Sequence, residues 1–245
     1  MKKLLAFAFI ITSSFSLFAQ GSITQPPSSN GKFTGGIMIN PFVAWSNANV
    51  DDPTKNKVTS SGAQIGFAYG LLGEFFFNNN YGISLNPRVS SYNSDFQYYP
   101  DIKNSPDASV DRNVSLQYID VPICLKMRTN EVGYMKYFAQ VGLMPGVKLA
   151  AKADIDTAYN ATTHGTVKGL NVTNDVNLFM MSFVIGIGAE YALGGTTAIV
   201  GSITWNNGFT NVWAKKDDNF TSNPPVFSNF NSPPSNISLN IGIKF

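Results

Sequence analysis

Alternation of apolar and polar residues is the dominant pattern along this chain, and it is clearest between Tyr118 and Arg128. Ile119, Val121, Ile123, Leu125 and Met127 form one face; Tyr118, Asp120, Pro122, Cys124, Lys126 and Arg128 form the other. A period of two is that of a strand, whose successive side chains point to opposite sides. Near the first third of the chain, Ile65, Phe67, Tyr69, Leu71, Phe75 and Phe77 alternate with Gln64, Gly66, Ala68, Gly70 and Glu74. Further on, Phe179, Met181, Phe183, Ile185, Ile187 and Ala189 alternate with Ser182, Gly186, Gly188 and Glu190. No stretch sustains a 3.6-residue period, so the chain reads as all-β.

Eight strands are expected, at 33–45, 63–77, 81–96, 113–128, 133–151, 176–191, 196–206 and 236–245. Each reaches the roughly 9–11 residues that a tilted strand needs to cross a hydrocarbon layer. Connections are short at 78–80, 129–132 and 192–195 and long at 46–62, 97–112, 152–175 and 207–235. That segregation and the even strand number predict an eight-stranded antiparallel transmembrane β-barrel of outer-membrane type, with short periplasmic turns and long external loops. The last strand must then pair with the first, because an open edge in lipid leaves backbone groups unsatisfied.

Targeting signals agree. Lys2 and Lys3, an apolar run at 4–11 and a small-residue region ending at Ala19 read as a secretory signal over 1–19. A Pro/Ser/Asn-rich lead over 20–32 and a barrel domain over 33–245 follow. No segment reaches about 18 uninterrupted apolar residues, so no helical anchor is expected. Removing Lys2 and Lys3 leaves 15 basic residues against 15 acidic ones, which gives no case for nucleic-acid binding. The single cysteine, Cys124, has no internal disulfide partner and reads as a small strand-interior side chain. An exported barrel of this kind is expected in the outer membrane of a Gram-negative bacterium.

Turning the apolar faces outward places Glu74, Arg88, Asp120, Lys126, Lys136 and Glu190 in the lumen, with Tyr118, Phe138 and Met180 on the same faces. The reverse would direct charges at lipid, at roughly 2–4 kcal/mol for a mid-bilayer Arg or Lys. Arg128 and Lys244 lie near strand ends, where that cost falls to about 0–1 kcal/mol and constrains them less. Counting up from the short turns predicts two lumenal ion pairs, Arg88 with Asp120 and Lys136 with Glu190. An eight-stranded barrel leaves room for little beyond side chains, so a filled core rather than a conducting lumen is expected. Leu239, Ile241, Ile243 and Phe245 share the outward face of the last strand, and the final aromatic is expected to be the signal read by the outer-membrane assembly machinery.

Candidate chemistry is sparse. His164, the sole histidine, lies in a loop whose nearby hydroxyls are threonines with no nucleophile motif around them; a solvated loop histidine is expected rather than a catalytic one. Asp51–Asp52, Asp154 with Asp156, and Asp217–Asp218 lack the ligand spacing of a calcium loop. Tyr92, Phe96, Tyr98 and Tyr99 read as an interfacial girdle rather than a ligand-stacking platform. No catalytic residue, metal site or cofactor is therefore expected.

At Tyr118-Ile119-Asp120-Val121-Pro122-Ile123-Cys124-Leu125-Lys126 the chain resembles the PorT-like outer-membrane β-barrel family of Bacteroidetes, whose members carry a Tyr-x-Glu-x-Pro-x-x-x-Lys strand. Asp120 stands where glutamate is more usual. The next hairpin, Thr129-Asn130-Glu131 through Tyr137, Gln140, Gly142 and Pro145-Gly146, is also similar. The resemblance implies an eight-stranded outer-membrane barrel, and one namesake of the family belongs to the type IX secretion apparatus. A monomer is expected, with outer-membrane lipid, the assembly machinery and an envelope protein as partners. It would act by binding, or as a secretion or envelope-complex accessory, through its external loops. The alternatives are a small lipid-modifying enzyme at His164 and a narrow pore.

Overall fold

The computed structural model describes residues 32–46, 49–50, 56–60, 62–100, 109–160, 163–212, 230–231 and 233–245. Eight antiparallel strands close into a ring: β1 Lys32–Ser46, β2 Gln64–Phe76, β3 in two segments Tyr81–Leu85 and Arg88–Pro100, and β4 in two segments Ser109–Asp120 and Ile123–Arg128. The others are β5 Met135–Asn160, β6 Phe179–Gly194, β7 Thr197–Gly208 and β8 Pro234–Lys244. Each strand pairs with its neighbours in sequence, and β8 pairs with β1 from Gly36↔Lys244 to Ser46↔Pro234. The expected signal peptide and most of the lead lie outside the described residues.

Faces follow the alternation. Ile65, Phe67, Tyr69, Leu71 and Phe75 point out of β2 and are exposed, whereas Ala68, Leu72, Glu74 and Phe76 are buried inside. Ile119, Ile123, Leu125 and Met127 are exposed on β4, and Asp120, Cys124 and Lys126 are buried. The outer wall is thus a continuous apolar surface with aromatic residues at the short-turn end, among them Phe33, Phe77, Tyr81, Tyr134, Tyr191 and Phe245.

Three departures from the expected elements have physical causes. Strands β3 and β4 are interrupted at Asn86–Pro87 and at Val121–Pro122, because proline has no N–H to donate to the ladder. The proline carbonyls still accept: Leu71 N donates to Pro87 O at 2.9 Å, Asn86 N to Pro122 O at 3.1 Å, and Val121 N to Pro145 O at 2.9 Å. Register therefore passes through both interruptions without a slip, Arg88↔Asp120 above and Leu85↔Ile123 below.

In β5, the strand continues through the expected loop 152–175 as far as Asn160 and returns as a short strand, Thr163–Asn171, followed by a 3-10 turn, Thr173–Asp175. A bulge hides this continuation: Gln117 pairs with Ala150 but Tyr118 with Lys148, so Leu149 is the extra residue. The bulge reverses the phase, and Ala151, Ala153 and Ile155 face inward where Phe138, Gln140 and Met144 do below it. On the other flank, Asn56–Ser60 pairs with the upper end of β3 inside the expected loop 46–62. Strands β3, β4 and β5 thus rise beyond the rest of the ring as a flange; β5 has 26 residues, more than twice the roughly 9–11 that a crossing requires.

Closure extends to the last residue. Phe245 N donates to Gly35 O at 2.9 Å, and Gly35 N to Phe245 O at 3.3 Å, with the Phe245 ring outward. Deleting Phe245 removes both contacts at the seam and is expected to reduce sharply the inserted, heat-modifiable form in outer-membrane fractions. Normal yield of folded truncated protein would contradict a role for the terminal aromatic in assembly.

Candidate functional site in the barrel interior

Inward-facing residues from alternate strands of a narrow barrel meet in layers. Near the short-turn end, β2, β4, β6 and β8 each contribute one charge: Glu74, Lys126, Glu190 and Lys244, all buried. They form a closed cycle. Lys126 Nζ contacts Glu74 Oε1 and lies 2.6 Å from Glu190 Oε1; Lys244 Nζ lies 2.8 Å from Glu74 Oε2 and 2.6 Å from Glu190 Oε2. Two ammonium and two carboxylate groups alternate, so the square is electroneutral. Thr34 Oγ1 donates to Glu74 at 3.4 Å, and Lys126 also stands 3.7 Å over the Phe138 ring.

One level above, the two sides of the lumen differ. On β3 and β4, Arg88 faces Asp120 with Nε 4.0 Å from Oδ2, while Ser90 Oγ donates to Asp120 Oδ2 at 2.5 Å. Gly146 of β5 makes space for that carboxylate, since a Cβ there would stand 2.6 Å from Asp120 Oδ1. Across the lumen, β1, β7 and β8 carry an uncharged ladder. Asn40 Nδ2 donates to Asn240 Oδ1 at 2.6 Å, Asn240 Nδ2 to Ser202 and Thr204 at 3.0 and 3.1 Å, and Asn206 Nδ2 to Asn236 Oδ1 at 2.6 Å. Between this level and the square, the space left is a cavity of about 20 Å³ bordered by Arg88, Lys126, Gln140 and Asn240. Such a volume suits roughly one water molecule.

Toward the long-loop end the interior turns apolar. Phe42, Tyr92, Val114, Leu116, Tyr118, Ala151, Ala153, Ile155 and Met180 pack together, and Val172, Val176 and Val212 cover them from the connecting segments. Tyr92 stacks on Tyr118 at 5.9 Å and meets Phe42 edge-on at 6.1 Å. Lys148, just before the bulge, donates to the carbonyls of Thr173 and Val176, and Asn177 N donates to Val212 O at 2.8 Å. These bonds hold the covering segment across the upper lumen.

Glu74, Arg88, Asp120, Lys126 and Glu190 all lie inside, and Arg88 and Asp120 are cross-strand partners. The expected Lys136–Glu190 pair does not form, although the two are register partners. Lys136 sits at the rim, about a third exposed, and pairs with Glu131 at 3.0 Å; Glu190 is taken by the buried ammonium groups of Lys126 and Lys244. Tyr92 is a core residue instead of a girdle residue, because its position in β3 has inward phase; the side chains of Phe96, Tyr98 and Tyr99 lie outside the described residues. Cys124 is a free, buried thiol beside Met144 and Val184. The His164 backbone pairs with Ala158, and its side chain lies outside the described residues, as do Asp51–Asp52 and Asp217–Asp218. Asp154 accepts a hydrogen bond from Gly169 N at 2.7 Å, and among the described residues no His, Cys, Asp and Glu cluster is arranged to hold a metal.

Lys244 and the asparagine ladder are among the interior residues that the alternation alone did not single out. Lys244 alternates with Ile243 and Phe245 and so had inward phase, but its place near the strand end masked its depth. Asn40, Asn206 and Asn240 occur among many surface asparagines and carry no distinguishing local signal.

A closed ring of eight strands, apolar outside and polar inside, defines a transmembrane β-barrel of outer-membrane type. The chain belongs to the outer membrane protein beta-barrel domain family, which it matches over residues 18–213. It therefore resides in the outer membrane of a Gram-negative bacterium. Its fold is similar to that of the outer membrane protein OprG from Pseudomonas aeruginosa, at 10% identity and a TM-score of 0.47 over 89% of this chain and 99% of that one. Neisserial surface protein A matches at 10% identity and a TM-score of 0.38, covering 85% and 95% of the two chains. Ail, the attachment invasion locus protein of Yersinia pestis, matches at 14% identity and a TM-score of 0.35, covering 87% and 99%. No curated protein matches the chain.

The square generates a stability test. Lys126→Met leaves Glu74 and Glu190 buried with one partner fewer, and is expected to cost about 3–5 kcal/mol. Lys136→Ala removes a half-exposed rim pair and is expected to cost at most about 1 kcal/mol. Urea unfolding of the refolded barrel, followed by tryptophan fluorescence, measures both; equal shifts would show that the square does not hold the barrel together.

Proposed function

We propose that this protein is a PorT-like, non-conducting, monomeric barrel that acts by binding, as an accessory of an envelope complex such as a secretion assembly, and performs no catalytic step. The observation that carries the reading is a lumen filled at three successive levels: the charged square, the polar middle and the apolar core beneath its covering segment. With the interior committed to packing, recognition is assigned to the flange and the external connections, which ride on a rigid scaffold. The resemblance of the strand Tyr118 to Lys126 to the PorT-like family supports the secretion-type assignment; in the barrel that strand holds Tyr118, Asp120 and Lys126, one from each level.

Two measurements test this. Planar-bilayer recording of the purified barrel is expected to show no steady conductance; a sustained open level would favour a pore. Replacing 156–169 and 213–229 by short turns, which spares the core residues Ala153, Ile155, Val172 and Val212, is expected to leave a folded barrel that no longer crosslinks to its envelope partner in intact cells. The double variant Arg88→Met/Asp120→Leu, by contrast, is expected to alter stability and retain the crosslink. Loss of the crosslink in the double variant alone would move the binding function into the lumen.

A further inference from the structure

Below the square, the short-turn end opens into a vestibule of about 320 Å³, which lies at the lower end of the size range of ligand sites. Arg128, Glu190 and Lys244 line its floor, and Glu131, Tyr134 and Lys136 its rim. The square spans the barrel immediately above, so the vestibule ends blind. Three cationic side chains face two carboxylates here, and counting Glu74 and Lys126 from the square leaves the excess at one positive charge.

Arg128 carries the unmatched capacity. Its Nε donates to Asn79 O at 2.7 Å, and its guanidinium carbon stands 3.5 Å from the Phe76 ring centroid. The turn is fixed in turn, since Asn80 Nδ2 donates to Arg128 O at 2.9 Å and Arg128 N to Asn80 O at 2.8 Å. Nη1 lies 3.8 Å from Glu190 Oε2, an ion pair too long for a hydrogen bond, and Glu190 is already engaged by Lys126 and Lys244. Among the described residues, the Nη groups donate no hydrogen bond. A guanidinium stacked on an aromatic ring and hydrogen-bonded through Nε alone leaves its terminal N–H fork preorganised, the geometry in which arginine grips a carboxylate or phosphate with two bonds.

We propose that this vestibule binds an oxyanion, a carboxylate or a phosphate group, gripped by the Nη fork of Arg128 and assisted from the rim by Lys136. The site is separate from the external binding face and does not depend on it. The excess positive charge and the blind end suit a small anionic group entering from the periplasmic side, either free or as the phosphate of a lipid headgroup.

Inorganic phosphate and acetate are titrated into the barrel in maltoside micelles while the arginine Nε–Hε resonances are followed by NMR. A saturable shift of one arginine signal is expected. Lys136→Gln, at a partly exposed rim position, is expected to weaken it several-fold, and Arg128→Lys, which keeps the charge but lacks the fork, to abolish most of the binding. Heat-modifiable migration checks that each variant is folded. Adding phosphatidylglycerol separates the sources: displacement of phosphate supports the headgroup, and its failure supports the free anion. Absence of a saturable shift in the wild-type barrel, or unchanged binding in Lys136→Gln, overturns the proposal even where Arg128→Lys does not fold.

Discussion

Backbone hydrogen bonding in lipid is the constraint from which the rest of this structure follows. A peptide group facing hydrocarbon without a partner costs several kcal/mol, so a sheet in the membrane has to close on itself. Here the seam between β1 and β8 is paired from Ser46↔Pro234 to Gly36↔Lys244 and reaches the last residue through Phe245 and Gly35. The same constraint explains how Pro87, Pro122 and Pro145 are tolerated within the wall. Pro87, Pro122 and Pro145 lack donors, but their carbonyls accept from Leu71, Asn86 and Val121, so the ladder loses single donors and keeps its register.

Closure fixes the interior as well. With eight strands the lumen is narrow enough for four inward side chains to meet, and the layer at the short-turn end is filled by charges from every second strand. Such a layer is tolerable only because it is complete: buried ions are costly alone and acceptable when each is paired. Completeness also ties register to electrostatics. A one-residue slip of β2, β4, β6 or β8 turns a charge toward lipid, at roughly 2–4 kcal/mol for the lysines, and orphans the two groups it had contacted. Hydrophobic matching outside and ionic matching inside thus select the same alignment.

The sequence conveyed the fold more completely than the interior. Strand number, faces and the inward placement of Glu74, Arg88, Asp120, Lys126 and Glu190 were legible because alternation reports phase, and phase is what a barrel wall consists of. Partner choice was legible only in part: Arg88 and Asp120 pair as their register predicts, whereas Lys136 and Glu190 share a register position, yet the contact across the lumen prevails over the one along the wall. Length along the strand was also obscured. The flange keeps the period of two, with Ala151, Ala153 and Ile155 against Lys152, Asp154 and Asp156, but the extra residue at Leu149 shifts the phase and makes one strand look like a strand followed by a loop.

That single bulge divides the molecule. Below it, the inward face of β5 is Phe138, Gln140 and Met144 and meets charged and polar neighbours; above it, the inward face is small and apolar and needs a cover. Val172, Val176 and Val212 supply the cover because the chain returns across the mouth, and Lys148 can hold it because it lies at the boundary, inside the barrel yet within reach of the carbonyls of Thr173 and Val176. The covering segment is therefore fastened to the wall at the level where the wall changes character. Any movement of the external connections is transmitted to a packed apolar core before it can reach the polar middle, and both of these levels insulate the charged square near the short turns from it.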